Sequence, residues 1–314
     1  MPEALRPMST GELLDRTFAL YRRNFLLFAG IVLPAPAILL VVQLAELPFA
    51  KDLAASSANP ALMMANMGRM IWAIAAAALA WIVGMSITHA ATVKAVSAVH
   101  LSRPISVGQS YASIKGRYLR VIAIVICLML ALMGAWIVFG MAGVLVMVAA
   151  VAGGSAVAGT LGKIAGGAVG VVAIVGAIVM VIWVMARYAL AIQACVIEGT
   201  RVFESLKRST VLAKGSILRI IVVYVLFAIM NLVIALTLQS VVKLVTVPFH
   251  SLQLSVGLQA LAGFVAGVLV GPLATVAMSL VYYDERVRKE AFDLQLMMAA
   301  LDGAPASAVA SVTQ

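Results

Sequence analysis

Residues able to do chemistry are sparse in this chain, and their spacing argues against most of it. The three histidines, His89, His100 and His250, lie far apart with no metal-ligand spacing. Cys127 and Cys195 fall in apolar runs and read as reduced filler, neither a disulfide nor metal ligands. All twelve acidic residues avoid the middles of the apolar runs. That removes the intramembrane carboxylate common in coupled transport and the carboxylate pair of acid–base catalysis. No Gly-Lys-Ser/Thr loop is present to cradle a phosphate. The expectation is no catalytic residue, no metal and no cofactor.

Three other groups of residues remain. His89 and Asn231 are polar side chains inside apolar runs. They either line a hydrophilic path or form interhelical hydrogen bonds, worth about 0.6 kcal/mol each on average; the second role is expected. Arg16, Arg22, Arg23, Lys115, Arg117, Arg187, Lys207, Arg208 and Lys214 are candidate contacts for anionic lipid. Gly162, Gly166 and Gly170, and again Gly263, Gly267 and Gly271, form ridges at four-residue spacing that let helix backbones approach closely. Within one chain such ridges are packing; between chains they would form a homo-oligomer seam.

The elements that position these residues are membrane spans. The chain has 314 residues, 64% hydrophobic and 11% charged. A soluble domain carries roughly 25% charged residues, so lipid must be the solvent for most of the surface. Apolar runs are continuous, which selects helices over a barrel. Six spans are expected at about 25–45, 70–93, 121–141, 169–187, 217–239 and 258–281. The third run continues to Val151 and Gly153-Gly154, so it should tilt or project beyond the bilayer. Pro34, Pro36 and Pro272 should kink the first and last spans.

Charge sets the orientation. Of 22 Lys and Arg residues, 18 fall at the termini and in the even-numbered gaps. Cytoplasmic segments accumulate Lys and Arg, so both termini are expected inside a bacterial inner membrane. The net charge of +10 is therefore a topology signal and not a nucleic-acid footprint. Tyr118, Tyr188, Tyr282 and Tyr283 end spans at that face, where the headgroup layer suits an amphipathic ring.

A short amphipathic segment precedes spans one, three and five. An offset of 192 aligns Glu12 with Glu204, Leu14 with Leu206, Arg16 with Arg208 and Arg22 with Lys214, without a gap. The segment from Ser106 to Tyr118 matches if one turn is removed. Glu12 to Arg16 and Glu204 to Arg208 are i, i+4 pairs with the acid first. The predicted fold is an all-α membrane domain over 1–302. It comprises three units of elbow helix plus two-helix hairpin, then a C-terminal amphipathic helix carrying Val287, Ala291, Leu294, Met298 and Leu301. Residues 303–314 read as a disordered tail.

Three stretches carry a resemblance. They are Ser9 to Phe25, Ile197-Glu198-Gly199 through Lys214-Gly215, and Tyr282-Tyr283-Asp284-Glu285-Arg286-Val287-Arg288-Lys289-Glu290 with Phe292-Asp293-Leu294. They resemble a bacterial six-span family labelled the glycerophosphoryl diester phosphodiesterase membrane domain. The resemblance implies that fold and a membrane. It implies no phosphodiesterase activity, because the soluble catalytic domain of fused members has no counterpart here. The expected function is non-enzymatic: a scaffold that contacts membrane lipids, anionic ones above all, or an accessory to a membrane-protein partner. The rival is a transporter or channel component for a small amphiphile or peptide. An intramembrane enzyme ranks last.

Overall fold

The computed structural model describes residues 7–49, 60–101, 103–249, 251–291 and 298. In chain order the helices are α1 (Thr10–Arg23), α2 (Phe25–Val32), α3 (Pro34–Glu46), α4 (Pro60–His100), α5 (Val107–Ser113) and α6 (Tyr118–Ala135). After a π-helical turn at Trp136–Gly140 come α7 (Met141–Tyr188), α8 (Ala191–Glu198), α9 (Val202–Ala213), α10 (Ile217–Thr246) and α11 (Leu252–Glu290). No strand occurs among the described residues. Five segments are long and apolar enough to cross a membrane, or six if the bent pair α2 and α3 is one span.

Local chemistry starts the short helices. The Ser9 hydroxyl accepts from the Glu12 N–H while the Glu12 carboxylate accepts from the Ser9 N–H at 2.7 Å. Ser106 and Gln109 repeat this capping box on α5. On α9 only the reciprocal half exists, the Glu204 carboxylate accepting from the Arg201 N–H at 3.0 Å. Next come Asn24, Arg117 and Ser216, with similar backbone angles of φ −121°, −109° and −120°. Each opens an apolar helix. Gly116 and Gly215, at φ +88° and +85°, turn the chain just before the second and third of these openings.

Pro34 has no N–H, and its ring bars a straight helix through Leu33. The chain bends there by 42°, as the sequence predicts. Pro272, by contrast, lies inside an unbroken α11. The long third run continues past Gly153-Gly154 and folds back at Gly159 (φ +58°). The two arms, Tyr118–Gly153 and Gly159–Glu198, are 36 and 40 residues long. At 1.5 Å per residue the shorter arm is about 54 Å long, against a hydrocarbon core of about 30 Å. The helices thus run on beyond the stretches 121–141 and 169–187, in keeping with a run longer than a bilayer needs.

α11 is the hub. Over half of its apolar window is buried (56%), against 11–17% for the other four long segments. The core sits toward the end of the bundle where the basic residues gather. One cluster there joins Leu13, Leu190, Leu212, Phe227 and Leu280. The other joins Phe28, Ile31, Val93, Val121 and Cys195. The separate C-terminal amphipathic helix is corrected in part. Val287 extends α11 and is buried, and the helix stops at Ala291, which adopts a left-handed conformation (φ +49°). Leu294, Leu301 and the tail lie outside the described residues.

Candidate functional site

Two ionic clusters tie the basic end together, both on the last turns of α11. In the first, the Asp284 carboxylate accepts from the Met8 N–H at 2.6 Å, from Arg288 at 2.7 Å and from Arg219. The Met8 carbonyl accepts in turn from Arg219 at 2.9 Å and Arg288 at 2.6 Å. Glu285 accepts from Ser216 at 2.7 Å and pairs with Lys289, one helical turn on, at 3.0 Å. Lys289 also donates to the carbonyls of Leu212 and Lys214. Both carboxylates are fully buried. A buried carboxylate survives only if paired and hydrogen-bonded, and each of these two has three donors, Arg219 reaching both.

The second cluster faces α8 and α9. Glu198 accepts two bonds from the Arg208 Nε, at 3.1 and 3.0 Å, and one from the Tyr282 hydroxyl. Arg208 also pairs with Glu290, which accepts from Arg286 at 3.1 Å. Burial alone would lower the Arg208 pKa; its hydrogen bonds and charge pairing with Glu198 and Glu290 outweigh this and raise it. The expected Glu204–Arg208 pair gives way to these stronger partners from other elements. Tyr282 and Tyr283 turn their rings into the protein and not toward the surroundings. Both are buried, with Tyr283 donating to the Ser97 hydroxyl at 2.7 Å and its ring 5.1 Å from that of His100.

These clusters divide the candidate lipid contacts. Arg22, Arg23, Lys115, Lys207 and Lys214 are exposed, and none of their side chains enters either cluster. Arg16 is half-buried. Arg117 donates to the Val196 carbonyl at 2.7 Å, close against Gly199. Arg187 lies 5.1 Å over the Trp183 ring at the end of α7. Arg208 is spent inside the second cluster.

A different polar convergence lies deeper. α7 ends at Tyr188, and the chain restarts as α8 after Ala189 and Leu190. The Ser209 hydroxyl bridges the break, accepting from the Leu190 N–H at 3.1 Å and donating to the Arg187 carbonyl at 3.0 Å. Beside it a cavity of about 50 Å³ is lined by His89, Gln193, Tyr224 and Thr275 among apolar neighbours. The Gln193 side-chain carbonyl oxygen is buried and has no hydrogen-bond partner among the described residues. A second, wholly apolar cavity of similar size lies between α7 and α10 and shares Tyr224. His89 therefore stands where a polar site is. Asn231 does not: it is on the exposed face of α10. Gln193, Tyr224 and Thr275 escape sequence reading; the one signal was an amide in the apolar run 188–197.

The glycine ridges pack within the chain. Gly162, Gly166 and Gly170 are buried, with Gly166 against the backbone of Ala150 and Gly170 against Met147. Gly267 and Gly271 meet Pro36 and Val32, at 3.1 and 3.3 Å for an added Cβ, whereas Gly263 faces open space. Both cysteines are free, and no cluster of metal-ligating side chains occurs among the described residues.

A family model described as "Domain of unknown function (DUF7847)" matches residues 19–310. The chain belongs to this family. The match takes in every long helix described above and all the charged residues of the two ionic clusters, with Met8 and most of α1 preceding it. Neither a curated protein nor a solved structure matches the chain.

Proposed function

We propose that this chain is a non-enzymatic, multi-pass protein of the bacterial inner membrane that holds anionic lipid at its cytoplasmic face, as a scaffold or as an accessory to a membrane partner. One observation carries the reading. The acids Glu198, Asp284, Glu285 and Glu290 are consumed inside the two clusters, while Arg22, Arg23, Lys115, Lys207 and Lys214 stay exposed. Cations left over in this way face the headgroups. Each contributes about 1 kcal/mol of attraction near an anionic leaflet.

Both termini are cytoplasmic in this reading, since the basic segments share one side. The three short helices act as elbows at headgroup depth, each leading a two-helix hairpin. Support comes from the aligned residues, the related caps at Ser9, Ser106 and Arg201, and the similar openings at Asn24, Arg117 and Ser216. Equivalent sequences in one solvent regime adopt equivalent folds. The resemblance to the phosphodiesterase membrane domain fits this architecture and brings no activity with it.

A thermal-shift titration tests the reading. Phosphatidylglycerol added to detergent-purified protein should raise its melting temperature more than phosphatidylcholine does. Equal responses would contradict it. A second reading, a transporter or channel component for a small amphiphile, is favoured by the cavity at His89 and Gln193. Loss of a transport phenotype in His89→Leu, with the phosphatidylglycerol response intact, would favour it over the first.

A further inference from the structure

The core of the bundle contains an acceptor that no other described residue satisfies. Gln193 is 4% exposed, yet its side-chain oxygen has no donor. It belongs to the first turn of α8, just past the break, and lines the cavity with His89 of α4, Tyr224 of α10 and Thr275 of α11. Counted along the helix axes from Glu198, Arg219 and Asp284, the residues Gln193, Tyr224 and Thr275 lie roughly 8–14 Å inside the ionic clusters. That is deep enough for bulk water to be scarce. An unmet acceptor in such a place is costly, and three other elements bring a polar side chain to the same cavity.

We infer that this cavity is a binding site for a small neutral hydroxyl group, which donates to the Gln193 oxygen and is held by the polar side chains around it. The chemistry follows from the lining. An acceptor without a donor calls for an O–H or N–H. No acid is among the described residues that line the space, so a cation finds no counter-charge from them. A volume of about 50 Å³ is small. A water needs roughly 10–30 Å³ and two to four polar partners, so the space holds a few waters or a single alcohol head. Two sources present this group. One is water itself. The other is a hydroxyl-bearing amphiphile whose chain lies in the neighbouring apolar cavity, with Tyr224 as the wall common to both. The inference is independent of anionic lipid at the basic end.

The test uses the full chain in detergent and the substitution Gln193→Met, which keeps length and removes the acceptor. With the site occupied, Met strands the bound hydroxyl and the melting temperature falls by roughly 2–4 °C. With the site dry, Met removes an unmet acceptor and the melting temperature stays or rises, which overturns the inference. Should the variant fail to fold, an experimental map of the unmodified protein decides. Density within hydrogen-bonding distance of the Gln193 oxygen supports the site; an empty cavity refutes it. Dioctanoylglycerol and its acetylated derivative then separate the sources. Stabilisation of unmodified protein by the alcohol alone, lost in Gln193→Met, identifies the amphiphile. No stabilisation by either, with density present, identifies water.

Discussion

The Asp284 carboxylate accepts a hydrogen bond from the Met8 N–H at 2.6 Å, across 276 residues of sequence. This contact fastens the start of α1 to the end of α11. Arg219 and Arg288 brace it by binding both partners, the carboxylate of one and the carbonyl of the other.

Asp284→Ala should therefore destabilise the bundle strongly. Removing one member of a buried ion pair costs about 3–5 kcal/mol, because the remaining charges are stranded. Thermal unfolding followed by circular dichroism checks this. A melting temperature within a degree or so of the parent would mean that the cluster is solvated and contributes little.

The glycine ridges separate into tight and open positions. Gly166→Val should destabilise the hairpin, since its Cβ would collide with the Ala150 backbone, which cannot rotate away. Overpacking of this kind costs about 1–3 kcal/mol. Gly263→Ala meets nothing and should be neutral or gain up to about 1 kcal/mol. Equal effects at both sites would contradict the packing described.

Orientation is open to cysteine labelling. In a chain with Cys127 and Cys195 replaced by Ala, Ser251→Cys should react with an impermeant maleimide in intact spheroplasts. Lys207→Cys should react only after permeabilisation. Both side chains are exposed, so protection reports sidedness and not burial. The reverse pattern would invert the topology.

How much of this was legible beforehand varies with the physics. Run length and basic-residue asymmetry are properties of the one-dimensional chain, so the six apolar runs could be read directly. The bend at Pro34 follows from a missing N–H. Side-chain partners could not be read. Glu204 and Arg208 have good helical spacing, but Glu198 and Glu290 arrive from other elements and win. Asn231 and Gln193 look alike in sequence, each a lone amide in an apolar run. One faces outward and the other inward. A span apolar on all sides has no hydrophobic stripe to say which way an amide points, so the cavity at Gln193 emerges only when four helices are brought together.

The central claim is that exposed cations at the basic end hold anionic lipid. Its most direct test is native mass spectrometry of lipids retained by the parent and by a Lys115→Gln, Lys207→Gln, Lys214→Gln variant, purified side by side. Arg208 is left intact, because its loss would break the pairs with Glu198 and Glu290 and confound the result. The spans are untouched, so both proteins should insert and melt alike. The account predicts that the parent retains phosphatidylglycerol or cardiolipin and that the variant loses most of it. Unchanged retention of anionic lipid in a folded variant would contradict the account.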